Sequence, residues 1–157
     1  MGEVSDLQRA LEECWAAEVS GVAYYETLAD RSPEHRQDFD VLALVERTTR
    51  DLIETVAEGF EVSIDHAEAE RIGTEVAQLG NNWAEVLEKA LTYTPETLRM
   101  YENLATVLPE DDSAVGQAVV EHERAQIVLF ESVVAGKPDD WSAIDAFLEG
   151  LGARRPV

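Results

Sequence analysis

A chain of 157 residues, 45% of them apolar, is large enough for one domain with a hydrophobic core. Its formal net charge of -21 argues against nucleic acid and anionic membrane surfaces as partners, because both need a basic surface. The single cysteine, Cys14, excludes an intramolecular disulfide, and its apolar neighbours predict a place in the core. The N-terminus is polar and no apolar run approaches the ~20 residues of a membrane span, so we expect a cytoplasmic protein without a signal peptide.

Apolar residues at three- and four-residue steps predict two long helices in the first half of the chain. The first covers about residues 5–29, and its buried stripe consists of Leu7, Leu11, Trp15, Glu18, Val22, Tyr25 and Leu28. The second covers about residues 33–57, with Ser32 as its predicted N-cap. Its stripe consists of Phe39, Leu42, Ala43, Glu46, Thr49, Ile53 and Val56. Two carboxylates, Glu18 and Glu46, therefore lie in the middle of apolar faces.

A shorter helix is predicted between the two halves, over about residues 66–79 with Asp65 as its cap. The residues assigned to its apolar side are Ile72, Val76 and Leu79. Because the other side is highly charged, we expect this helix to lie against the outside of the core.

Two further long helices and a short one are predicted in the second half. The third long helix opens at Trp83, and its apolar stripe keeps its phase across Pro95. This favours one kinked helix, with a new helix start at Pro95 as the alternative. The fourth long helix covers about residues 113–135, and Asp139 or Asp140 is predicted to cap a short C-terminal helix.

A sequence repeat relates the two halves. Residues 25–29 (Y-E-T-L-A) match residues 101–105 (Y-E-N-L-A), and residues 43–46 match residues 118–121 at nearly the same spacing. Two copies of a helical hairpin bury their stripes by forming an up-down four-helix bundle, for which residues 60–82 provide a crossover.

These motifs resemble those of the ferritin-like superfamily, in particular its rubrerythrin-like branch, over about residues 7–134. The family pattern is a Glu on the first helix, an aromatic residue seven positions later and E-x-x-H on the second helix, all repeated on the third and fourth helices. In the family these side chains hold two irons. Glu18 matches the first glutamate, Glu46 the glutamate of the first E-x-x-H, and Glu121 that of the second.

The remaining family ligand positions differ in this chain. Thr49 and Arg124 replace the two histidines, and Thr94 replaces the glutamate of the third helix. A guanidinium has no lone pair to give to a metal. The resemblance therefore implies a divergent member that has lost the di-iron centre, and we expect no cofactor.

Two interpretations of the bundle centre involve a cation. In the first, Arg124 takes the place of the metal and pairs with Glu18, Glu46 or Glu121 in a structural network. In the second, one iron or manganese ion is retained by Glu18, Glu46, Glu121 and His122 after a small rotation of the fourth helix, and the protein is a metal-dependent oxidoreductase.

In a third interpretation the centre is a metal-free pocket for a small molecule. Close carboxylates raise each other's pKa, so either Glu18 or Glu46 would be protonated at neutral pH and could act as a general acid or base. The residues predicted to line this pocket are Tyr25, Thr49, Thr94, Tyr101 and Arg124. By contrast, Glu123 is assigned to the solvated face.

The predicted fold is thus all-α: a ferritin-like up-down four-helix bundle with a crossover helix and a short C-terminal helix, in one domain over residues 1–157. The family implies a homodimer. The predicted function is binding of a small molecule or a protein partner through the remodelled centre, with the metal-dependent oxidoreductase as the alternative. The sequence leaves open whether the protein is an enzyme.

Overall fold

The computed structural model describes residues 5–80 and 82–156, and this part of the chain is all-α and contains no strand. Its helices are, in chain order, α1 (Asp6–Arg31), α2 (Arg36–Gly59), α3 (His66–Ala77), α4 (Trp83–Val107), α5 (Ser113–Val134) and α6 (Ser142–Gly150). Short 3-10 turns at Pro33–His35 and Glu110–Asp112 precede α2 and α5. The prediction of an all-α chain is confirmed.

The N-terminus of α1 is closed by a capping box. The Ser5 side chain accepts from the Gln8 backbone N–H at 3.1 Å, and the Gln8 side chain accepts from the Ser5 N–H at 3.2 Å. Ser32 is the N-cap of a 3-10 turn that begins at Pro33, as predicted for the helix start, but α2 itself begins at Arg36 with His35 as its N-cap. The Ser32 carbonyl, rather than its side chain, accepts from the His35 N–H at 3.0 Å.

Helix α4 runs without a break through Pro95, as the phase of its stripe predicts. Proline has no N–H to donate to the carbonyl of Leu91, four residues earlier. The Thr94 hydroxyl donates to that carbonyl at 2.9 Å instead. A threonine directly before the proline thus satisfies the acceptor that the proline leaves free.

Helix α3 packs on α1 through a different face from the predicted one. Its buried residues are the small ones, Ala69, Gly73 and Ala77. A Cβ on Gly73 would lie 2.0 Å from the backbone oxygen of Ser20, so only small residues fit this interface. The larger residues predicted to be buried are instead exposed: Ile72 and Val76 by 44% each, and Leu79 by 72%.

The four long helices share one interior. Helix α1 packs along α2 and α4 packs along α5, and further contacts join α1 to α4 and α2 to α5. Helix α3 covers the outside of α1, and α6 covers α5. Within the described ranges, every helix is too short or too polar to cross a membrane.

Candidate metal centre

A polar layer separates two apolar clusters of the core. One cluster contains the C-terminal part of α1 and the N-terminal part of α2, and the other contains the opposite ends of these helices. Between them the chain buries polar side chains on α1, α2, α4 and α5, and these are Glu18, Glu46, Thr49, Thr94, His122, Glu123 and Gln126. Because burying polar groups costs free energy unless they find partners, this layer is a candidate functional site.

Three potential metal ligands from three helices converge in this layer. Glu18 on α1, Glu46 on α2 and His122 on α5 each place one ligand atom within 4.8 Å of the others. Glu18 and His122 are completely buried, and Glu46 is 6% exposed. Two carboxylates and an imidazole form a donor set that suits first-row divalent metals.

The imidazole of His122 is oriented in the way a metal ligand requires. Its Nδ1 lies 2.5 Å from the carbonyl oxygen of Val119, and a carbonyl can only accept, so Nδ1 carries the proton. In the neutral ring Nε2 then presents a lone pair. Nε2 lies 3.1 Å from Glu18 Oε1 but forms no hydrogen bond with any described residue.

The Glu18 carboxylate is also incompletely satisfied. Its Oε1 accepts a short hydrogen bond from the Tyr101 hydroxyl. Its Oε2 is fully buried and has no hydrogen-bond partner among the described residues. Glu18 Oε2 and His122 Nε2 are thus two buried, unpartnered atoms on side chains that approach to 3.1 Å through Glu18 Oε1, and a cation bound between these side chains would stabilise both.

Glu46 is held in place from two sides. The amide of Gln126 donates to its Oε1 at 2.7 Å. On the other side, a Cβ added to Gly21 would lie 2.8 Å from Glu46 Oε2, so the glycine makes room for the carboxylate on α1. These contacts fix the orientation of the carboxylate, as outer-shell partners of metal ligands do.

Burial dominates the electrostatics of the two carboxyl groups. Desolvation raises the pKa of Glu18 to about 7, although hydrogen bonds from Glu46 and Tyr101 partly oppose the shift. Desolvation, followed by the neighbouring Glu18 charge, raises the pKa of Glu46 well above its ordinary value. Without a cation, the pair therefore holds at least one proton near neutral pH and shares it in a hydrogen bond.

A third carboxylate, Glu123, belongs to the same layer. It was predicted to be solvated, but it is only 5% exposed, and its Oε2 lies 3.9 Å from His122 Nε2. Desolvation raises its pKa to about 7. Its position directly after an inward-facing residue gave no sign of burial, because adjacent residues on a helix point about 100° apart.

The predicted arginine network is wrong. Arg124 points outward, with 62% of its side chain exposed, and its Nη2 lies 3.4 Å from Glu102. Glu121 is also exposed and accepts from Gln117 at 3.1 Å, so it does not join the predicted metal ligands. No lysine or arginine in the described ranges is buried. The charge of the partly exposed Arg50 opposes the rise in the pKa of Glu18 but does not cancel it.

The two threonines at the centre are occupied with backbone contacts. The Thr49 hydroxyl donates to the Val45 carbonyl at 3.0 Å and the Thr94 hydroxyl donates to Leu91. Thr49 and Thr94 stand where the resemblance implied metal ligands, and Glu121 and Arg124 point outward, so the six side chains expected for a di-iron centre do not converge. The remaining donors fit a single ion.

The predicted central pocket does not coincide with either of two grooves beside α6. One groove of about 200 Å³ lies between α5 and α6, and another of about 360 Å³ lies beside the end of α6. Neither is lined by Glu18 or Glu46. Tyr25, predicted to line a pocket, is instead a buried core residue in T-shaped contact with Tyr24 at 5.0 Å.

His122, already one of the four ligands predicted for a retained metal, is also the position that a constant alignment of the repeat identifies. The shift of 76 residues that relates Tyr25 to Tyr101 also relates Glu46 to His122. The predicted match of Glu46 with Glu121 needed a one-residue offset, which rotates the assigned position by about 100° to the outside of α5. The buried histidine is thus the repeat partner of the buried glutamate.

Comparison with known protein families, with curated proteins and with solved structures finds no match. The chemistry of the centre is therefore inferred from its own geometry.

Proposed function

We propose that this protein is a helical-bundle metalloprotein that binds one divalent iron or manganese ion through Glu18, Glu46 and His122. Mixed carboxylate and imidazole donors match both metals. The alternative predicted from the sequence, a metal-dependent oxidoreductase with a carboxylate-rich site, is the function that the geometry supports best. Of the four ligands predicted for it, Glu18, Glu46 and His122 are kept, and Glu121 is left out because it is exposed.

One observation carries the proposal. Glu18 Oε2 and His122 Nε2 are completely buried and have no hydrogen-bond partner among the described residues, and Glu18, Glu46 and His122 each place one ligand atom within 4.8 Å of the others. Leaving such atoms unpaired costs about 1–3 kcal/mol each. An ion between them would remove this cost and would also neutralise the buried negative charge.

The surrounding residues have distinct roles in this proposal. Tyr101 donates to Glu18 and holds one of its oxygens, and Gln126 does the same for Glu46. The Val119 carbonyl fixes the His122 tautomer. A bound iron or manganese ion would supply one-electron redox chemistry. The apolar clusters on both sides would exclude water from it.

Metal binding is tested on chelator-treated protein by calorimetry with Mn(II) and Fe(II), and by elemental analysis after loading. We expect roughly one ion per chain, because the centre offers one set of ligands. The His122→Gln and Glu18→Gln variants should lose at least ~10-fold in affinity. The matched control is Glu121→Gln, which changes an exposed neighbour on α5 and should bind like the wild type. Absence of binding, or equal binding by the His122→Gln variant, contradicts the proposal.

A second candidate function is general acid–base chemistry by a metal-free carboxyl pair. The raised pKa of Glu18, about 7, and its hydrogen bond with Glu46 favour it. However, neither of the two grooves beside α6 is lined by these residues, so neither groove is a binding site for a substrate of this pair. A failure of metal binding would make this the leading candidate.

Ferritin-like membership, a bundle of the up-down type, a homodimer and a cytoplasmic location remain part of the proposal. They rest on the sequence motifs and composition. Binding of a small molecule or protein partner also stays a prediction, now without the arginine that was expected at the centre.

A further inference from the structure

Phe147 on α6 lies between the groove that separates α5 from α6 and the polar centre. Its side chain lines this groove, which has a volume of about 200 Å³. Its ring is also a direct neighbour of the His122 imidazole, with 6.2 Å between the ring centroids. Ala118, one helical turn before His122 on α5, lines the same groove. The groove therefore borders two side chains that are neighbours of a proposed metal ligand.

A metal centre that is buried needs a path by which the ion enters. Glu18 and His122 are completely buried, and apolar clusters lie on both sides of the polar layer. The groove between α5 and α6 opens to solvent, because its lining residues other than Ala118 and Phe147 are exposed. Its volume is enough for several water molecules, so an ion that still carries water can occupy it.

The backbone of α6 is held firmly, so opening has to come from a side chain. Ile144 and Leu148 anchor the helix in the core and are completely buried. Arg155 forms an ion pair with Asp145 on the same helix at 2.9 Å. Phe147, by contrast, has the groove beside it, and this space accommodates its ring when the side chain changes rotamer.

We propose that the groove between α5 and α6 is the path by which a divalent metal ion enters the centre, and that Phe147 is the gate of this path. This inference rests on the proposed metal binding. With the ring against His122 the path is closed, and rotation of the ring into the groove opens it. A gate changes the barrier and not the bound state, so it alters the rates of uptake and release together and leaves the affinity unchanged.

The test is stopped-flow mixing of the metal-free, full-length protein with Co(II), whose visible absorption reports binding, followed by a chelator chase that measures release. Phe147→Ala should accelerate both steps at least ~10-fold, with the dissociation constant within about 3-fold of wild type. The matched control is Leu148→Ala, a change at the next residue of α6, which is buried but does not line the groove. Wild-type rates in Phe147→Ala, or equal acceleration in Leu148→Ala, overturn the proposal.

A second pair of variants closes the path without leaving a cavity in the core. Ala146→Trp places a large ring in the groove from an exposed position, and it should slow uptake and release at least ~10-fold at unchanged affinity. Glu149→Trp, also exposed on α6 but lining the other groove, is the control and should keep the wild-type rates. Wild-type rates in Ala146→Trp contradict the entry path. Failure of the wild type to bind any ion at equilibrium would instead refute the metal centre, and the path with it.

Discussion

The buried carboxyl of Glu18 predicts how the stability of the metal-free protein depends on pH. Burial raises its pKa from 4.5 to about 7 in the folded protein, whereas the unfolded chain keeps the ordinary value. One pKa unit corresponds to 1.36 kcal/mol, so Glu18 alone is responsible for about 3 kcal/mol of pH-dependent stability. Glu18→Gln removes this dependence because an amide of similar shape does not ionise in this range.

The sign follows from proton uptake. Between about pH 4.5 and 7 the folded state keeps a proton on Glu18 that the unfolded state has lost, so the free energy of unfolding falls as the pH rises. The contribution is fully present below the pKa of the unfolded chain and is lost as the pH passes the folded value. Relative to wild type, the Glu18→Gln variant should therefore gain about 3 kcal/mol between pH 4.5 and 7.

The measurement is urea unfolding followed by circular dichroism at intervals over this pH range, with a chelator present to exclude metal. Taking the difference between variant and wild type removes the effect of the general negative charge, which both proteins share. Glu131→Gln, an exposed change on α5, serves as the control and should give a flat difference. A flat difference for Glu18→Gln as well would refute the assignment of a buried, protonated carboxyl.

Three backbone positions give further predictions, all measured by urea unfolding. Gly21→Ala should lower the free energy of unfolding by about 1–3 kcal/mol and weaken Mn(II) binding, since the added Cβ would lie 2.8 Å from Glu46 Oε2. Gly59→Ala is the control: a Cβ there would meet nothing within 4 Å, so this variant should not be destabilised. Gly73→Ala should cost at least about 2 kcal/mol, because its Cβ would collide with backbone on α1. Pro95→Ala should stabilise by about 1 kcal/mol or more by restoring an N–H to α4, and a loss of stability would show that the proline is needed there.

The sequence was sufficient to predict the long helices and their buried faces, because the spacing of apolar residues depends only on residues close together in the chain. Three- and four-residue spacing identified the buried faces of α1, α2 and α4, including the burial of Glu18 and Glu46. The phase of the stripe also predicted that α4 continues past Pro95. Each of these features depends on residues within one or two helical turns, where pattern and geometry correspond directly.

The errors concern contacts between helices. Hydrophobicity assigned Ile72 and Val76 to the interface of α3, but the close approach of α3 to α1 selects small residues, and that distance is not encoded in α3 alone. On α5 the sequence motif favoured Glu121, and a difference of one position exchanges an exposed residue for a buried one. Glu123 was missed because no helical stripe predicts two adjacent inward residues.

The asymmetry of the repeat is the reason that the proposed metal centre has ligands for one ion rather than two. A symmetric pair of hairpins would supply each ligand twice. Here the first half supplies Glu18 and Glu46, and their partners in the second half are Thr94 and His122. Thr94 gives its hydroxyl to the backbone of α4, so it is not available to a metal. Only one complete set of donors remains: the first half of the chain provides both carboxylates and the second half provides the imidazole. In the proposed centre, loss of a ligand from either hairpin would therefore weaken binding of the single ion, because no second site remains.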